Sequence, residues 1–253
     1  MPRLLYTCAY DGQQFSGWQS QKDADSLQDA IEAAFQRILK APLRIAASGR
    51  TDAGVHAHAQ CFHADVPEGC RMTAENWQAA LNAHLPAAIR ITEVKEVPAD
   101  FHARFNAVAK EYEYLICRAP VLSPFLYGRT WHLPHSFDVE LLAAAMRVYE
   151  GEHDFRRFAA NRGNEPAVPP ADFYLRTIYS ATLAEEGDLV RLRTRGNGFM
   201  YRMVRLLVGT AHQVARRRMS LDALQDMLQN PLGQKTRYCA PADGLYLRCV
   251  FYE

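Results

Sequence analysis

A short apolar run from Leu4 to Tyr10 predicts a strand, and the pattern then changes period. Leu27, Ile31, Ala34, Phe35, Ile38 and Leu39 recur at helical spacing on one face, behind Ser26 as N-cap and Asp29 in the first turn. Strands are expected at Leu43 to Ala47, Ala59 to Val66 and Ile89 to Val97. Between the last two, Thr73 to Leu85 reads as a second amphipathic helix with Trp77, Leu81 and Leu85 inward. The order β-α-β-β-α-β is ferredoxin-like: an antiparallel sheet with both helices on one face.

After the connector Phe101-His102-Ala103-Arg104-Phe105 the same order can be written again, with longer insertions. Lys110 to Cys117 is a strand, Asp138 to Tyr149 a helix, Tyr174 to Leu183 and Leu189 to Arg195 a hairpin, and Leu245 to Tyr252 a closing strand. A helix read from Met200 carries two stripes, the apolar one running from Met203 to Ala215. Val204, Leu207, Val208, Ala211 and Val214 are apolar, while Arg202, Arg205, Gly209, His212 and Arg216 form a stripe spaced by three and four, read as a positive face. Ser220 caps a short helix to about Leu228, and Asn161 to Asp172, with three prolines, is a loop. The expected architecture is α+β, with two RRM-like or ferredoxin-like domains over residues 1–106 and 107–253.

Composition narrows the class. The 253 residues are 49% hydrophobic and 23% charged, ordinary for a folded globular protein, with no apolar stretch long enough to cross a bilayer. The short N-terminal run lacks a secretory leader, and six cysteines without C-x-x-C spacing argue for reduced thiols; both place the protein in the cytoplasm. Net charge is only +1, yet residues 1–106 hold 10 basic against 12 acidic residues and the remainder 19 against 16. Residues 191–218 carry eight arginines and no acid, which is either a solvated face or a surface for a polyanion.

The segment Ser48-Gly49-Arg50-Thr51-Asp52-Ala53-Gly54-Val55-His56-Ala57 links two strands. Small residues around one carboxylate make either a tight turn or a point where backbone approaches a ligand. With no second acid nearby, a reactive Asp52 needs a cation to stay ionised, and the arginines around Arg205 are the natural supply. Alternation puts Lys110, Tyr112 and Tyr114 on one face of a strand with Glu111 and Glu113 on the other; the tyrosines are core, or a platform for a base. Phe15-Ser16-Gly17-Trp18-Gln19 is likewise a packed turn or an aromatic contact. His56, His58 and His63 raise a metal site, against which stands the lack of any familiar zinc spacing. Phosphate-loop, dinucleotide and serine-hydrolase motifs are absent.

Together, the Gly49–Ala57 segment, Phe15-Ser16-Gly17-Trp18-Gln19, Lys110-x-Tyr112-x-Tyr114 and Met203-Val204-Arg205 resemble the tRNA pseudouridine synthase A family over nearly the whole chain. The resemblance implies the pseudouridine synthase fold, its two sheets combining around a central RNA-binding cleft. It implies isomerisation of uridine to pseudouridine at positions 38, 39 and 40 of the tRNA anticodon stem-loop, without cofactor or metal, by a homodimer whose subunits share one tRNA. Asp52 matches the family's essential aspartate, Tyr112 the tyrosine that stacks on the target base, and Arg205 the arginine paired with the aspartate. Arg50, Arg104, Arg202 and Arg216 are expected on RNA phosphates, with Phe15, Trp18, Gln19, His56 and Lys110 completing the RNA-contacting set. Two departures from the family are the long proline-rich stretch Asn161 to Leu175 and Tyr201-Arg202 where histidines are common. The rival readings are a non-catalytic RNA-binding protein of tandem ferredoxin-like units and a metal hydrolase built on the three histidines.

Overall fold

The computed structural model describes residues 2–21, 25–163, 166 and 169–253, so four residues of the 161–175 loop lie outside the described residues. The chain divides into two compact units, Met1–Val108 with Tyr246–Glu253, and Ala109–Leu245. Both mix helix and antiparallel sheet, an α+β fold. Among the described residues no helix is long and apolar enough to cross a membrane.

The first unit runs β1 (Arg3–Tyr10), α1 (Leu27–Leu39), β2 (Ala46–Ala47), β3 (His56–Asp65), α2 (Ala74–His84) and β4 (Ile89–Val97). β1 lies between β3 and β4, antiparallel to both, and β2 pairs with β3 at Ala46–His63 and Ala47–Phe62, the ferredoxin-like order. The helix expected from the period is confirmed at its start. Ser26 Oγ accepts from the Asp29 backbone N–H while the Asp29 side chain returns to the Ser26 N–H, a capping box. Leu27, Ile31, Ala34 and Phe35 are buried, and Phe35 meets Tyr6, Phe62 and Trp77 in one aromatic core. Tyr6 and Phe62 stack at 5.0 Å across the β1–β3 pair. β2 is only two residues, shorter than the expected strand from Leu43, although Leu43 and Ile45 are buried.

The second unit runs β5 (Ala107–Cys117), β6 (Trp131–His132), α3 (Val139–Arg147), β7 (Gly151–Asp154), β8 (Leu175–Glu186), β9 (Leu189–Gly196), α4 (Met203–Ala215) and α5 (Leu221–Gln229). β9 is antiparallel to β5 and to β8, and β8 to β7; β6 adds a short parallel pair to β5. The strands β6 and β7 had no periodic signal. The predicted hairpin turns at Gly187, whose φ of 61° is left-handed. The closing strand, β10 (Leu245–Tyr252), pairs parallel to β3 at Tyr246–His56 and Leu247–Ala57, so residues from Tyr246 on group with the first unit rather than with 107–253.

One expectation is overturned. α4 does not divide into a core stripe and a positive stripe: every residue of it except Arg205 and Gln213 is buried. The cause is the segment from Thr236 to Ala240, which lies on the supposed polar face. A Cβ on Gly209 would stand 2.2 Å from the Tyr238 carbonyl oxygen, so only glycine permits the approach. Thr210 and Thr236 share a hydroxyl–hydroxyl bond of 2.7 Å. His212, 4% exposed, lies between Trp131 and Phe137. Burial, helped by Arg216 and Arg218, holds its pKa down at about 4, so it carries no charge near neutral pH. Only Arg202 and Arg216, at the two ends, remain exposed.

Candidate active site

Asp52 lies on a turn whose backbone is fixed on both sides. Ahead of it, Ser48, fully buried, donates its N–H to Cys61 O at 2.7 Å and its hydroxyl to Gln60 Oε1 at 2.7 Å. The Gln60 amide returns to Gly49 O at 3.0 Å. Thr51 shares a hydroxyl bond of 2.8 Å with Tyr10 and accepts the Trp18 N–H at 3.1 Å. Behind it, Asp52 O accepts the Val55 N–H at 3.1 Å, closing a turn through Gly54 at φ 79°. The Asp52 side chain is half-buried between these anchors, and Arg50 next to it is exposed. A backbone held in this way loses little freedom when a ligand arrives.

The Phe15–Gln19 loop is the other wall of this turn. Gly17 has φ 96°, and a Cβ there would lie 2.8 Å from Thr51 O; at Gly12 it would lie 2.0 Å from Val55 O. Two stretches of backbone therefore meet with no side chain between them. Trp18 is 2% exposed and packs near Tyr10 and Phe62 at 5.9 and 6.1 Å, while half-buried Phe15 and exposed Ser16 and Gln19 reach the surface. His56 is also 2% exposed, with its ring stacked on Tyr246 at 4.6 Å. Its Nδ1 accepts the Gly12 N–H at 3.1 Å and lies 3.3 Å from Asp11 Oδ1. The Trp18 and His56 side chains, both expected to contact RNA, are buried within the first unit. His63 Nδ1 accepts from the Ala103 N–H, and among the described residues no three His, Cys, Asp or Glu side chains gather to hold a metal.

In the second unit, β5 carries half-buried Lys110 and Tyr112, with the Tyr112 ring edge-on to Phe199 at 5.1 Å. Tyr114 is core: 1% exposed, its hydroxyl donates to Pro241 O at 2.8 Å, and burial raises its pKa well above the ordinary phenol value. Arg205 is gripped by the segment that covers α4. Its Nε donates to Ala240 O at 2.8 Å, and its own carbonyl accepts the Ala240 N–H at 3.0 Å. Arg202 stands at the N-cap of α4 with φ 57° and its guanidinium 5.1 Å from the Tyr201 ring. The acid-free arginine run is not unopposed in space. Glu113, 1% exposed, takes Arg191 on one oxygen and Arg193 Nε at 2.9 Å on the other.

Sequence reasoning missed the anchors: Gln60 and Tyr10 beneath the turn, and Ala240 on Arg205. The glycines at 12, 17 and 209 were the available signal, since each marks a place where backbone touches backbone.

A family model described as tRNA pseudouridine synthase matches residues 7–106 and 145–253. Asp52, Arg104 and Arg205 fall inside those segments, while Lys110 and Tyr112 fall in the stretch between them. The tRNA pseudouridine synthase A of Akkermansia muciniphila is 47% identical over 253 residues, covering 100% of this chain and 96% of that one. That of Methylacidiphilum infernorum is 38% identical over 97% of this chain and 94% of its own, and that of a Geobacillus species 38% over 99% and 98%. The chain belongs to the tRNA pseudouridine synthase family.

Proposed function

We propose that this chain isomerises uridine to pseudouridine in the anticodon stem-loop of tRNA, at positions 38, 39 and 40, with Asp52 as nucleophile or base. The observation that carries the reading is the family's G-R-T-D-A-G-V-H-A segment folded as a turn whose backbone is tied to Gln60, Tyr10 and the Gly12–Trp18 loop. The reaction breaks the bond from N1 to C1′ and makes one from C5 to C1′, while C5 loses a proton and N1 gains one. Nothing is oxidised or consumed, and the family resemblance implies that no cofactor or metal takes part. Attack at C1′, attack at C6 and removal of the 2′ proton all start from an ionised carboxylate. By the family resemblance Arg205 is the arginine that pairs with the aspartate, and Tyr112 the ring that holds the turned-out base. Flipping a paired base costs a few kcal/mol, of which stacking offsets about 1–3 kcal/mol.

Exposed Arg50, Arg104, Arg202 and Arg216 supply the backbone contacts, and half-buried Lys110 and Phe15 with exposed Gln19 are further RNA contacts. The working unit is a homodimer on one tRNA, in the cytoplasm. Asp52→Asn, assayed in chelating buffer by pseudouridine mapping of the anticodon arm, is expected to abolish turnover while tRNA affinity stays within a few-fold of the parent. An asparagine variant with undiminished turnover would overturn the assignment.

A further inference from the structure

The connector Phe101–Asn106 is built as a rigid presenter. Ala103 at its centre is 0% exposed and is held from both sides: its N–H donates to His63 Nδ1 at 3.1 Å, and its carbonyl accepts the Tyr252 hydroxyl at 2.8 Å. Phe101 O accepts Arg3 Nη1 at 2.8 Å, and Arg3 is itself paired with Asp65 at 2.7 Å. The turn then locks on itself. The Asn106 N–H reaches His102 O at 3.0 Å, Asn106 Oδ1 accepts the His102 N–H at 2.6 Å, and His102 Nδ1 accepts the Arg104 N–H at 3.1 Å. Burial, with His102 and Arg3 nearby, pushes the His63 pKa down to about 4, so the acceptor on Ala103 persists at neutral pH.

What this frame holds out is an aromatic side chain. Phe105 is 75% exposed, with its ring 4.4 Å from the His102 ring and the Arg104 guanidinium 5.6 Å from its centre. A phenylalanine in water on a mobile loop would mean little. Here the backbone is already ordered, one ring face is backed by an imidazole, and a cation stands alongside. An unpaired nucleotide offers the matching pair of groups, a base with a π face and a phosphate.

We propose that Phe105, backed by His102 and flanked by Arg104, stacks on an unpaired base of the RNA substrate other than the reacting uridine. This rests on the reading of the chain as a tRNA-modifying enzyme and adds a second aromatic contact to that of Tyr112. Stacking tolerates any base, which suits an enzyme that must engage its RNA alike when the target lies at neighbouring positions.

The test measures affinity of the full chain for an unmodified tRNA transcript, with thermal unfolding alongside. Phe105→Ala is expected to weaken binding roughly 5- to 150-fold with an unchanged midpoint. Phe105→Leu, which keeps apolar bulk without a π face, should weaken it nearly as much, whereas Phe105→Trp should retain affinity and show indole fluorescence quenched on binding beyond that of the parent. Arg104→Ala should lower the salt slope by about one phosphate's worth, a slope Phe105→Ala leaves alone. Parental affinity in Phe105→Ala, or rescue by Phe105→Leu, overturns the stacking contact while leaving the enzymatic reading intact. A parent chain that neither binds nor isomerises tRNA overturns both.

Discussion

Gly209 shows how one missing Cβ sets the neighbourhood of Arg205. In an exposed helix interior, glycine to alanine stabilises by up to about 1 kcal/mol. Here the added carbon would stand 2.2 Å from Tyr238 O and 2.9 Å from Ala240 N, both backbone atoms that cannot swing aside. Gly209→Ala is therefore expected to destabilise by about 1–3 kcal/mol, the range for overpacking, and chemical unfolding reads the sign directly. It should also loosen the grip of Ala240 on the Arg205 guanidinium. That glycine is visible in the sequence, but its neighbour is 29 residues away along the chain and nothing local announces it. The same holds for Trp18: a loop aromatic among polar residues reads as a surface contact until Tyr10 and Phe62 are seen to enclose it.

Among the elements, α1 was legible throughout, whereas α4 was legible as a helix with an apolar stripe but not in what covers its other side. Burial in α1 follows its own period, because one side faces the sheet and the other water. In α4 the Thr236–Ala240 segment meets Gly209 while Trp131 and Phe137 enclose His212, so the middle of the stripe read as positive becomes interior. β5 and β9 carry a similar lesson in charge. Glu113 sits opposite Arg193 in register, and its carboxylate bridges Arg191 and Arg193. Removing the acid leaves two guanidiniums without their shared partner, yet Arg193 is 41% exposed and water can take over part of its solvation. Glu113→Gln is expected to lose about 1–3 kcal/mol in urea unfolding, less than a wholly buried pair would. A parental midpoint would show that the bridge is neutral for stability.

Taken over the whole chain, two neutral histidines tie stability to pH. His63 and His212 both have native pKa values of about 4, below the 6.5 of an unstructured histidine. Below pH 6.5 the unfolded chain takes up protons that the native rings refuse, so stability falls from pH 6.5 towards 4, each ring adding a slope of up to about 1.4 kcal/mol per pH unit. Urea midpoints across that window check it, and His63→Gln should flatten the curve. Which helices form and that the chain is α+β were set by patterns a few residues long: a capping box and a 3.6-residue period. Those are local, since spacing along the backbone alone decides which side chains share a face. Tertiary contacts decided the rest: that β10 closes the first unit against β3, that Trp18 and His56 are buried, and that the arginine run meets a glutamate. Burial and pairing depend on segments distant in sequence arriving at one place, and no single stretch of chain encodes its neighbour.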